Sequence, residues 1–179
     1  MKISTRKITL TAVGAALFAA LSLCLQVPVF ENYYLCLGYA VMAVYCYSFG
    51  TACGTAAGTL GVVVYCLVIN GLRGMPGWAA GNIILGIVLG LTFKATRKLG
   101  EGPLRAAVHT AAVVAASALG ILVVKSFTEV LLYGQPMAVR MAKNVYAFAA
   151  DAAVLLVSLP LCYRLDGVAK KMFPAEAKG

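Results

Sequence analysis

The chain has 179 residues, of which 62% are hydrophobic and only 12% charged, and its mean hydropathy is +0.91. A soluble domain of this length needs far more charge to cover its surface, so a soluble globular fold is excluded. The formal charge of +9 does not indicate a nucleic-acid partner, because the basic residues stand at the ends of apolar segments and form no stripe interleaved with exposed aromatics.

A membrane-spanning helix needs about 20 mostly apolar residues. The first such run extends from about Lys7 to Val27 and is closed by Pro28. Its basic start, Lys2, Arg6 and Lys7, imitates a signal peptide, but the run is long for a signal core and no A-x-A cleavage site follows. Leu21-Ser22-Leu23-Cys24 only faintly matches a lipoprotein cleavage box, since Leu23 is bulky where a small residue is wanted. The segment is therefore expected to be a retained helix. A short polar stretch, Glu31-Asn32-Tyr33-Tyr34, leads to a second run over 35–49, which is short for a span. Gly50-Thr51 marks a tight turn into a third over 52–69. The loop from Asn70 to Gly77 is rich in turn residues and breaks the pattern. The fourth run covers 78–93, and the charged stretch from Lys94 to Arg105 ends it. The fifth, 106–133, carries Lys125 and Glu129 near its far end. Gly134-Gln135-Pro136 separates it from the sixth, 137–163, and a basic tail follows. The expected fold is an all-α membrane protein, one compact bundle of six transmembrane helices occupying 1–179.

Lysine and arginine counts set the orientation. With the N-terminus inside, the cytoplasmic set is Lys2, Arg6, Lys7, Lys94, Arg97, Lys98, Arg105, Arg164, Lys170, Lys171 and Lys178, against Arg73, Lys125, Arg140 and Lys143 outside. The asymmetry predicts both termini in the cytoplasm and a multi-pass protein of the cell membrane.

The six cysteines form no CxxC pair and lie mostly inside apolar segments, where a thiol behaves as a small buried residue. With His109 as the one histidine, no metal site is expected. Helix one carries a stripe of small residues, Ala12, Ala15, Ala16, Ala19 and Ala20. In lipid, helices associate by close backbone approach across such residues. Two uses stay open: packing against the protein's own helices, or docking against another membrane protein. Gly50, Gly54, Gly58, Gly77, Gly81, Gly86 and Gly90 form a second small-residue pattern, read as internal packing.

Charge inside a membrane is costly and usually faces a cavity or a partner. Lys125 and Glu129 are spaced to pair along one helix face. On helix six, Arg140, Asn144, Ala147 and Asp151 fall on one line, which sets Asp151 about 16 Å along the axis from Arg140. Trp78 and Asn82 join from helix four, Asn70 and Arg73 from the loop before it, and Glu31, Asn32 and Tyr34 from the loop after helix one. This grouping towards the outer half suits an outward-facing binding pocket better than a through-pore. The basic members Arg73, Lys125, Arg140 and Lys143 either snorkel to headgroups or receive a ligand carboxylate or phosphate. Tyr33, Tyr34, Trp78 and Tyr146 can flank a flat or hydrophobic ligand body, and interfacial belting is an equal account of Tyr33 and Tyr34.

Thr5-Arg6-Lys7 running into an Ala-xxx-Ala helix, the glycine-rich stretch from Phe49 to Gly58 leading into helix three, the basic loop after helix four, the size and the six spans together resemble the substrate-binding S component of an energy-coupling factor (ECF) vitamin transporter. The resemblance covers nearly the whole chain. It implies a membrane-embedded receptor that captures a vitamin-like small molecule from outside and delivers it by docking on a transmembrane coupling subunit driven by two ATPases. The family's Ala-xxx-Ala contact with the coupling subunit maps to Ala12, Ala16 and Ala20, with Ala15 and Ala19 beside it. The gating loop maps to Phe30–Tyr34. The ligand expected is anionic or amphipathic, such as pantothenate, lipoate or a folate, with a flavin or modified nucleobase as alternatives.

No GxxxxGK[ST] phosphate loop is present, so nucleotide-driven uptake needs partner chains. A stand-alone facilitator or channel is the competing reading, but a pore wants polar residues at several depths and helices one to four are nearly bare of charge. An enzyme needs convergent catalytic groups, which Asp151 alone does not supply and His109, towards the opposite side, does not complete. No catalytic residues and no cofactor are expected.

Overall fold

In a hydrocarbon environment a backbone must satisfy its hydrogen bonds within itself, and the apolar runs accordingly form helices almost throughout. The computed structural model describes residues 5–24, 27–30, 33–69, 71–100 and 102–174. Helix α1 spans Thr5–Cys24, α2 Gly38–Ser48, α3 Thr51–Val68, α4 Met75–Ala95, α5 Pro103–Ser117, α6 Ser126–Tyr133 and α7 Met137–Met172. Between α5 and α6 the chain stays helical but widens into a π-helical segment, Ala118–Lys125, so Pro103–Tyr133 is one continuous rod.

Five of these rods are long and apolar enough to cross a membrane: α1, α3, α4 with its 3-10 end, α5 to α6, and α7. The remaining expected span, that of α2, is the short one. Helix α2 has 11 residues, about 16 Å of rise, against a hydrocarbon core of about 30 Å. The chain before it forms strands β1 (Val27–Phe30) and β2 (Tyr33–Leu35), paired antiparallel with Val27 opposite Leu35. Pro28 opposes Tyr34, so α1 ends at Cys24 and not at Val27. At the other limit, α7 continues past the expected stop at Tyr163 to Met172. Polar residues end a membrane span without ending a helix, and Asp166 pairs with Lys170 one turn on.

Two glycines supply backbone that other residues resist. Gly50, between α2 and α3, has φ 90° and ψ 172°, a region essentially reserved for glycine. Gly134 closes α6 in the left-handed conformation at φ 64°. Small residues elsewhere set the spacing of the rods. Phe18 of α1 fills the space above Gly61 of α3, where an added Cβ would lie 2.6 Å from the Phe18 Cβ. On α4, a Cβ at Gly90 would meet Thr51 Cα at 2.6 Å, and one at Gly81 would meet the Gly120 carbonyl oxygen at 2.6 Å. The glycines of α3 and α4 thus serve internal packing, as their spacing predicts.

The core runs through Phe18, Tyr39, Met42, Leu85, Leu89 and Leu155, all fully buried. A second cluster, Tyr45, Phe49, Cys53, Ala57 and Ala169, closes one end of the bundle, where Phe173 packs edge-on against Phe49 at 5.8 Å between ring centroids. The described ends of the chain meet there, since Leu10 of α1 also packs on this cluster. Around the outside the large side chains are apolar and exposed, for example Val157 at 79% and Leu131 at 69%. Such a surface suits lipid and not water. The chain is a multi-pass membrane protein.

Candidate ligand-binding site

Where α2 stops short, the bundle holds a cavity of about 560 Å³. Its walls come from the strand β2 and the residues following it, the ends of α1, α3 and α4, the π segment and α6, and the first half of α7. At its floor lie Ser22, Cys36 and Asp151. The Ser22 hydroxyl donates to the Phe18 carbonyl at 2.7 Å. A hydroxyl has one proton to give, so in the 3.0 Å Ser22–Cys36 contact the thiol is the donor. Asp151 is 5% exposed and lies beside the Cys36 backbone and the Tyr39 side chain.

Aromatic side chains form the middle of the wall. Tyr65 and Trp78 meet edge to face at 5.5 Å. Trp78 Nε1 donates to the Tyr39 hydroxyl at 2.8 Å, Tyr39 donates to Asn82 Oδ1 at 2.8 Å, and Asn82 Nδ2 donates to the Gly58 carbonyl at 3.1 Å. Every step of this relay runs from donor to acceptor, so the indole plane is held by α2 and α3 as well as by its own helix. The Lys125 ammonium stands 6.0 Å from the Trp78 ring centroid, within electrostatic reach of Glu129 and Asp151.

The mouth is ionic. Glu129, 4% exposed, takes a hydrogen bond from Asn144 Nδ2 at 3.2 Å and faces Arg140 at 3.7 Å. Tyr133 donates its hydroxyl to the Arg73 carbonyl. The Arg73 and Arg140 guanidinium carbons stand 4.9 and 5.9 Å from the Tyr133 ring centroid. Lys143 completes the α7 side, and Tyr34 and Arg73 bring the rim to the surface.

Of the residues expected at a site, the structure brings Tyr34, Arg73, Trp78, Lys125, Glu129, Arg140, Lys143 and Asp151 to one cavity. Asn82 and Asn144 do not line it. Both are buried behind the wall, Asn82 in the relay above and Asn144 between Ser126 Oγ, at 2.9 Å, and Glu129. Glu31, Asn32 and Asn70 lie outside the described residues. Lining residues that sequence reasoning passed over include Ser22, Cys36, Tyr65, Cys66 and Tyr133. Tyr65 and Ile69, one turn apart at the end of α3 facing the turn-rich loop, carried a usable signal; the thiols carried none.

On α1 the small-residue stripe divides. Ala15 and Ala19 are buried with Gly14 and Phe18, whereas Ala12, Ala16 and Ala20 are exposed on the opposite face.

The far end of the bundle holds a separate polar cluster. Thr96 gives its proton to the Thr92 carbonyl at 2.8 Å, so His109 Nε2–H donates in the 2.6 Å contact between the two side chains. His109 Nδ1 faces the Tyr163 hydroxyl at 2.8 Å. Arg105 donates to the Tyr47 hydroxyl and Arg97 to the Tyr47 carbonyl at 3.0 Å. These bonds tie α2, α4, α5 and α7 together, and His109 is fully buried in them. No group of acidic, cysteine or histidine residues suited to a metal occurs among the described residues.

A family model described as "ECF-type riboflavin transporter, S component" matches residues 2–166. No curated protein matches the chain.

Proposed function

Because the chain belongs to the S components of ECF-type riboflavin transporters, we propose that it is the substrate-binding subunit of an ATP-driven importer in the cell membrane. It captures a vitamin-like small molecule of riboflavin type from outside. The observation that carries this reading is the cavity of about 560 Å³, aromatic at mid-height, ionic at the mouth and placed at one end of a lipid-facing bundle. Below it the closed core of Phe18, Tyr39, Met42 and Leu85 favours a receptor over an open pore. The cavity end carries few basic residues beyond those of the site, and the opposite end carries Arg6, Lys7, Lys94, Arg97, Lys98 and Arg105. That asymmetry supports an outward cavity and cytoplasmic termini.

Delivery requires partners: a transmembrane coupling subunit and two ATPase subunits. The exposed face of α1 with Ala12, Ala16 and Ala20 is the proposed docking surface, since small residues admit the close approach that helix association in lipid needs. Ala15 and Ala19 face inward and support that helix from behind.

The test is binding by the purified chain. Titration with riboflavin, followed by flavin fluorescence, is expected to show stoichiometric capture, and native mass spectrometry a compound retained from the cells. A chain that neither retains a compound nor binds riboflavin overturns the receptor reading.

A further inference from the structure

The polar groups of the cavity are sorted by depth. On α7 the mouth residues Arg140 and Lys143 precede Asp151 by about 12–16 Å along the axis. At the floor Asp151 has Lys125 within electrostatic reach. At the mouth the balance is different. Glu129 is shared between Asn144 and Arg140, and its distance to the guanidinium, 3.7 Å, is long for a closed ion pair. Arg140 Nε is buried and has no hydrogen-bond partner among the described residues. Arg73 converges on the same Tyr133 ring from the loop before α4. Two arginines that line one cavity mouth and lie against one tyrosine ring offer donors that match the planar oxygens of a carboxylate or phosphate.

We infer that the ligand is two-ended: a flat ring body lies inward against Tyr65 and Trp78, and a carboxylate or phosphate lies outward between Arg73 and Arg140. This rests on the receptor reading above and narrows it, because it makes the preferred ligand an acid. The anionic group enters last and sits at the rim, so it sets affinity and selectivity without having to be dehydrated at the floor.

Riboflavin and its 5′-phosphate share one ring system and differ by the phosphate, which makes them matched probes for the purified chain. The phosphate form is expected to bind about tenfold tighter or better, and Arg73→Gln to bring the two affinities together. Arg73 is exposed and the bond from Tyr133 goes to its backbone carbonyl, so this variant keeps that bond and loses only the contact of the guanidinium with the ring. Equal affinities, or tighter binding of riboflavin, overturn the inference and leave the receptor reading standing. If neither flavin binds, the riboflavin-type reading fails, and inorganic phosphate decides the present one. A rise in thermal stability with phosphate over chloride at matched ionic strength, lost in Arg73→Gln, supports an anion seat. No rise, or the same rise in both proteins, overturns it.

Discussion

Asn82 donates to a backbone carbonyl of α3 and accepts from Tyr39, which itself holds Trp78. Replacing it with leucine takes the acceptor from the Tyr39 hydroxyl and leaves the Gly58 carbonyl only its helical bond. The expected cost is about 1–3 kcal/mol, read as a lower unfolding temperature in detergent, with weaker ligand binding as Trp78 loses its support. Asp151→Asn tests the floor of the cavity. The volume is unchanged but one carboxyl oxygen becomes an amide nitrogen, so ligand affinity is expected to fall about tenfold with little change in fold; unchanged affinity removes Asp151 from the contact. The sequence showed that Arg140, Ala147 and Asp151 share a helix line, because their spacing is a property of one helix. It did not show that Asn82 and Asn144 turn towards neighbouring helices. A polar residue facing a cavity and one facing a carbonyl of the next rod have the same local pattern, and only the packing of several rods distinguishes them.

At the scale of elements, α1 has one buried and one exposed face of small residues, and the proposed docking concerns the exposed one. Ala16→Trp on the exposed face is expected to abolish cellular uptake while the isolated protein still binds ligand. Ala15→Trp on the buried face is expected to disrupt folding and binding together. Loss of binding in both variants would make the whole stripe internal packing. Gly50 poses a separate test, since an alanine at φ 90° strains the link between α2 and α3 by about 1–3 kcal/mol, measurable by thermal unfolding. The apolar runs made α1, α3, α4, the α5–α6 rod and α7 legible, because hydrocarbon selects helices by length and polarity. The hairpin was not legible: Val27 and Val29 continue the apolar run of α1 and only Pro28 hints at a break. The π segment was equally silent, since one added residue per turn leaves no compositional mark. Within it Gly120 comes so close to Gly81 of α4 that a Cβ on either would meet the other's backbone carbonyl.

Across the whole molecule, α7 links the two ends. Arg140, Lys143 and Asp151 line the cavity at one, and Ala169 with Phe173 seals the second apolar cluster at the other. Removing residues from 165 onwards is expected to lower the unfolding temperature by several degrees, as buried apolar contacts are lost, and to leave ligand affinity within about twofold because no lining residue is removed.

The shortness of α2 also has an electrical consequence. With the cavity opening outward as proposed, water admitted to it carries the outer potential part of the way through the bundle, so a membrane voltage falls mainly across the closed core beneath it. With about 2.3 kcal/mol per elementary charge per 100 mV over the full thickness, an acidic group held at the Arg73–Arg140 mouth crosses almost none of that drop. Loading the receptor is then indifferent to the energised state of the cell.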